Sequence, residues 1–182
     1  MKLKNKAFKR LPFSQLGFTY IEAILYIAIV TIMLNALVPF AWNIINSSAK
    51  SSTEQEVYSA ARFISEKIKY EIRNSNGINT AGSTFDTSPG TLSLSNTDST
   101  KNPTIITITN GKVTLKYGAS AAVDLNSADT TVTSLIFTNY TSSDNKTKNV
   151  QFSLTAIDNL NTSRQEYNET ISLESDAEIR SN

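Results

Sequence analysis

Between Ala23 and Ile45 the chain runs for 23 residues without a charge. As a helix such a run is about 35 Å long, enough to cross the hydrocarbon core of a bilayer. One carboxylate, Glu22, stands immediately before it. Deep in a membrane a carboxylate costs at least ~2.5–3.5 kcal/mol, so Glu22 either lies at headgroup level or meets a cation. Five cations, Lys2, Lys4, Lys6, Lys9 and Arg10, precede the run, and the first charges after it are Lys50 and Glu54. This asymmetry predicts a cytoplasmic amino terminus and an exported remainder. The run is longer than a signal-peptide core, and no small-x-small site follows it directly, so it reads as a retained membrane helix.

Pro39 lies inside this run. Its ring removes the hydrogen bond to the carbonyl of Asn35, which predicts a kink or loosening there. Thr31 and Asn35 could satisfy the local backbone or bond across helices. Beyond the polar stretch 46–56, Val57, Ala61, Ile64, Ile68 and Ile72 recur at spacings of three and four. They mark one buried face of a helix that continues to about Asn74, with Lys67 and Glu71 as an (i, i+4) pair. Gly77 is the expected stop.

Gly17 raises a further expectation. A cut between Gly17 and Phe18 would create an α-amino group four residues before Glu22. The amine of one helix and the carboxylate of its neighbour could then neutralise each other in an apolar bundle.

The stretch "GFTYIEAILYIAIV", residues 17–30, resembles the type IV prepilin motif, a family that includes the pseudopilins of type II secretion. Gly17 matches the residue before the cleavage point, Phe18 the new N-methylated terminus and Glu22 the assembly glutamate. Pro39 matches the family's helix-breaking proline, and Tyr20 departs from the usual leucine. The resemblance covers about residues 10–45. It implies cleavage and methylation by a membrane aspartyl prepilin peptidase, followed by extraction from the lipid through an inner-membrane assembly platform. It also implies packing against other pilin or pseudopilin subunits in a filament.

Beyond Gly77 the composition turns to Ser, Thr, Asn and Asp with short β-rich runs. "TIITITNGKVTLKYG" reads as a hairpin on an Asn110–Gly111 type I′ turn. A two-residue turn pairs Thr109 with Lys112, which puts Ile106, Ile108, Val113 and Leu115 on one face. Further strands are expected at Val132–Tyr140, Val150–Ile157 and Tyr167–Leu173, with weaker ones at Thr91–Leu94 and Val123–Leu125. "STFDTSPGT" reads as a loop with Pro89–Gly90 as its turn. The expected fold is α+β, with the second half of a long helix packed on an antiparallel sheet. Its segments are a leader at 1–17, a membrane or filament-core helix at 18–45, its amphipathic continuation at 46–76 and a β-rich head at 77–182. In strand order, "VTSLIFTNYTSSDNKTKNVQFSLTAID" loosely resembles the larger minor pilins and pseudopilins of the J or W type.

Composition limits the chemistry. The chain has no His and no Cys, which excludes a Ser-His-Asp triad, a thiol nucleophile and a Cys/His zinc site. No set of residues calls for a cofactor, and no carboxylate pair announces an active site, so the protein is not expected to be an enzyme. Asp124 and Asp129 could offer oxygen to calcium, but an ordinary polar loop explains them better. Lys112, Lys116, Lys146 and Lys148 could form a basic rim for nucleic acid. Outside the leader, however, 12 basic residues face 16 acidic ones, which favours an ordinary solvated face. The expected function is a structural, minor subunit of a type IV pilus or secretion pseudopilus. The alternative is a membrane-tethered binding module, an adhesin or DNA receptor with no filament role.

Overall fold

The computed structural model describes residues 17–159 and 169–180. The chain divides into two units, Met1–Ile44 and Ile45–Asn182. One helical assignment, α1 at Tyr20–Arg73, contributes to both. The strands follow as β1 (Gly77–Ile78), β2 (Thr91–Ser95), β3 (Thr104–Thr109), β4 (Lys112–Tyr117), β5 (Val123–Asp124), β6 (Thr130–Asn139), β7 (Asn149–Asp158) and β8 (Thr170–Glu178). The class is α+β, as the periodicities predict.

In the first unit the described residues are helix from Tyr20 onward. The helical assignment runs through Pro39 without interruption. Thr31 donates its hydroxyl to the carbonyl of Ile27 at 2.7 Å, so it serves its own backbone. Apolar side chains are exposed all round: Ile32 at 70%, Phe40 at 62% and Trp42 at 61%. α1 thus contains a stretch long and apolar enough to cross a membrane.

In the second unit the rest of α1 covers a sheet core. Val57, Ala61, Ile64, Ile68 and Ile72 are all buried, as their spacing requires. They join Leu92, Leu94, Ile106, Val113 and Leu115 from one sheet and Leu135, Phe137, Val150, Phe152 and Leu154 from another in a single hydrophobic cluster. The helix ends at Arg73, before Gly77. The hydroxyl of Ser75 donates to the carbonyl of Ile72 at 2.8 Å, satisfying one of the last-turn carbonyls. Gly77 instead begins β1, opposite Ser95.

The sequence suggests one sheet, whereas the structure has two. Strands β1 to β5 pair in order as an antiparallel sheet, and β6, β7 and β8 form a second. The hairpin register is as expected: Thr109 faces Lys112, Ile108 faces Val113 and Ile106 faces Leu115. Asn110 and Gly111 both have positive φ, 52° and 75°, as a type I′ turn demands. The carbonyl of Gly111 accepts a bond from Val132 N at 2.9 Å, and that of Leu135 accepts one from Gly90 N at 2.8 Å. Single bonds from a turn and a loop, rather than a strand ladder, link β6 to the first sheet.

Asn126 completes this junction. It is 6% exposed. Its amide donates to the carbonyls of Thr130 at 2.6 Å and Gly111 at 3.1 Å, and its oxygen accepts from Val113 N at 2.8 Å. Strand β8 is longer at its carboxy end than its apolar residues suggest. Leu173 is followed by "ESDAE", whose Ala177 is buried opposite Val150. Tyr167, placed by the sequence in this strand, lies outside the described residues.

Candidate functional site

The residues singled out by the sequence lie at the start of α1. Among the described residues nothing lies within 4 Å of a Cβ built on Gly17. Phe18 is 68% exposed, and its ring stacks on Tyr26 with centroids 5.4 Å apart and planes 29° apart. The Gly17–Phe18 peptide precedes the first helical residue, Tyr20. The leader cations lie outside the described residues.

Thr19 is the residue that sequence reasoning missed. Its carbonyl accepts bonds from Glu22 N and Ala23 N, both at 3.1 Å, and its hydroxyl accepts from Glu22 N at 3.4 Å. Thr19 is thus the N-cap, and Thr19-Tyr20-Ile21-Glu22 has the spacing of a capping box. The pattern T-x-x-E was the available signal. Glu22 is exposed in the first turn, where a negative charge is favoured by the helix dipole. This helix-starting role requires no partner chain. It also leaves the carboxylate facing outward, four residues beyond the Gly17–Phe18 junction.

Farther along, Thr31, Leu34, Asn35, Val38 and Pro39 line a shallow depression on the helix. It lies where Pro39 withholds a donor from the Asn35 carbonyl.

The other sequence candidates are dispersed. Lys112 and Lys116 lie on β4 of the first sheet, whereas Lys146 and Lys148 precede β7 of the second. Lys112 is already engaged, donating to the carbonyls of Ser127 and Thr130. Asp124 pairs with Thr114 at the sheet edge. Among the described residues no group of three or more His, Cys, Asp or Glu side chains could hold a metal ion.

A different polar cluster is assembled in the second unit. Lys67 Nζ lies 2.8 Å from Glu71 Oε1, the expected (i, i+4) pair. The carboxylate is not solvated as a helix surface would suggest. Its side chain is only 6% exposed, because Tyr117 of β4 reaches it and donates at 2.6 Å. Lys67 also donates to the Tyr117 hydroxyl at 3.3 Å. Burial opposes the charge on Lys67, yet its bonds to Glu71 and Tyr117 outweigh that effect and raise its pKa. Burial, followed by the bond to Glu71, raises that of Tyr117. Lys67, Glu71 and Tyr117 are bonded to one another, so the triad fastens the helix to the sheet.

Comparison with protein-family models, with characterised proteins and with solved structures returned no match.

Proposed function

We propose that the chain is a structural, minor subunit of a type IV filament, either a pilus or a secretion pseudopilus. In this reading it is cut after Gly17, N-methylated at Phe18 and assembled through its amino-terminal helix. One observation carries the proposal: an outward-facing carboxylate, Glu22, lies in the first turn of a helix whose apolar window is entirely unburied. An apolar surface of that extent needs either lipid or other helices around it. Both environments are apolar, so moving the helix from bilayer to filament is close to neutral for its side chains. What changes is the pairing of Glu22. The amine released at Phe18 of a neighbouring subunit offers the compensating charge that lipid lacks.

The partners are then a prepilin peptidase, sibling subunits and an inner-membrane assembly platform. The chain begins as a single-pass membrane protein with a cytoplasmic amino terminus and an exported head. Co-expression with a prepilin peptidase followed by intact-mass analysis tests the reading. The expected product begins at Phe18 and carries an N-methyl group. A chain retaining the leader, or cut elsewhere, would overturn it in favour of a tethered module that does not assemble.

A further inference from the structure

The second unit contains a cationic cleft that none of the roles above uses. It lies where four segments meet: the residues just after α1, the β2–β3 connection, the β6–β7 connection and the chain after β8. Asn76, Thr97, Asn145, Lys146, Lys148 and Arg180 line a space of about 420 Å³. No carboxylate is among the described lining residues, although acids outnumber bases in the chain beyond the leader.

Helix-end electrostatics account for part of this charge. Lys148 donates to the carbonyl of Asn76 at 3.2 Å, a favourable use of a cation near a helix carboxy terminus. Lys146 is tied only loosely, 3.5 Å from Asp144 and 84% exposed. The guanidinium of Arg180 has no ion pair among the described residues. Two cations therefore remain beyond what the fold consumes.

A second recess of about 280 Å³ shares Asn145 and Lys148 with the first and continues past Gly77, Thr80, Asn139 and Thr141. Thr80 is exposed there, and every described side chain lining this recess except Lys148 is uncharged. The connecting loop is braced. Ser142 N donates to Thr147 O, Asn145 N to Ser142 O and Tyr140 N to Asn149 O, all at 2.9 Å.

We propose that this pair of recesses binds a phosphorylated glycan. The phosphate takes the end formed by Lys146, Lys148 and Arg180, where an arginine fork and two point charges suit a tetrahedral oxyanion. A sugar takes the recess beside it, where Thr80, Asn139 and Asn145 offer uncharged donors and acceptors. Nucleic acid shares the phosphate but is the poorer fit. Single strands are gripped by aromatic side chains that stack on bases, and among the described residues no aromatic side chain lines either recess.

The test uses the full chain in detergent micelles with four probes: phosphorylated dextran, unmodified dextran of the same length, inorganic phosphate and a mixed-sequence single-stranded DNA oligonucleotide. Phosphorylated dextran is expected to bind at least ten-fold more tightly than unmodified dextran or the oligonucleotide. The double variant K146Q/R180Q should weaken it at least ten-fold. K101Q/K116Q makes the same charge change outside the cleft and should alter it less than two-fold. Thr80→Val should weaken phosphorylated dextran several-fold while leaving inorganic phosphate binding unchanged. Circular dichroism confirms that each variant is folded. Equal losses from the two lysine-containing double variants, wild-type binding by K146Q/R180Q, or tighter binding of the oligonucleotide would each overturn the proposal.

Discussion

The hydroxyl of Tyr117 donates a 2.6 Å hydrogen bond to Oε1 of Glu71, joining β4 to the last turns of α1. The two residues are 46 positions apart, and Lys67 closes the arrangement from the helix side. Removing the donor with Tyr117→Phe leaves a buried carboxylate one bond short. A hydrogen bond to a charged group is worth about 1.5–3 kcal/mol, so the thermal midpoint should fall by several degrees. Thermal melts of wild type and variant in the same detergent check this, and an unchanged midpoint would remove the triad from the account of stability.

The same triad sets an alkaline limit. Lys67 and Tyr117 both have folded pKa values raised above their ordinary values. Each therefore keeps its proton longer in the folded state than in the unfolded one. Their contribution is fully present below the unfolded values, near ~10, and is lost as pH rises through the folded values. Stability should decline above about pH 10, and by less in Tyr117→Phe, as denaturant titrations between pH 8 and 11 would show.

At Glu22 the cap and the intermolecular pair can be separated. Glutamine serves the third position of a capping box as glutamate does, but it carries no charge. If charge pairing drives assembly, Glu22→Gln should be as poor as Glu22→Ala in filament incorporation while both still insert in the membrane. Normal incorporation of Glu22→Gln with loss in Glu22→Ala would assign the residue to helix capping alone. Sheared-filament immunoblots with membrane fractions as control give the comparison. Thr19→Val, which removes the cap hydroxyl, should cost the helix start ~1 kcal/mol.

Gly111 should not tolerate a side chain. Its φ is +75°, and a Cβ there would lie 2.7 Å from Cγ2 of Thr131. Gly111→Ala combines a disfavoured backbone with a clash next to the bond that Gly111 makes to β6. A loss of ~1–3 kcal/mol is expected. Pairing it with Thr131→Ser, which removes the clashing methyl, should recover only the steric part. Chemical denaturation of the two variants measures the division.

Asn126 is a comparable point of failure for a different reason. Replacing it with leucine orphans Val113 N at a buried junction, whereas Gly111 O still accepts from Val132 N and Thr130 O from Lys112. A buried group left unsatisfied costs about 1–3 kcal/mol, so Asn126→Leu should lower stability by about that much in denaturant titrations. Hydrogen exchange at Val113 N should rise first.

The membrane-length run, the five buried positions of the helix's second half and the β3–β4 register were legible because each depends on local periodicity. A period of 3.6 or 2 is written in consecutive residues, and the Asn110–Gly111 turn fixes its own pairing through backbone geometry. The N-cap at Thr19 was equally local, in T-x-x-E. By contrast, the carboxy half of β8 was hidden because an edge strand facing water can be polar almost throughout. The division into two sheets, the burial of Glu71 under Tyr117, the polar junction at Asn126 and the gathering of Lys146, Lys148 and Arg180 were not legible. Each depends on contacts between segments tens of residues apart, which only the packing of the sheets against the helix brings together. The sequence alone determined which segments are helix, strand and membrane-length, through periodicity and charge. Tertiary structure decided which polar residues are buried and which cations share a cleft, because burial is a property of neighbours and not of a side chain itself.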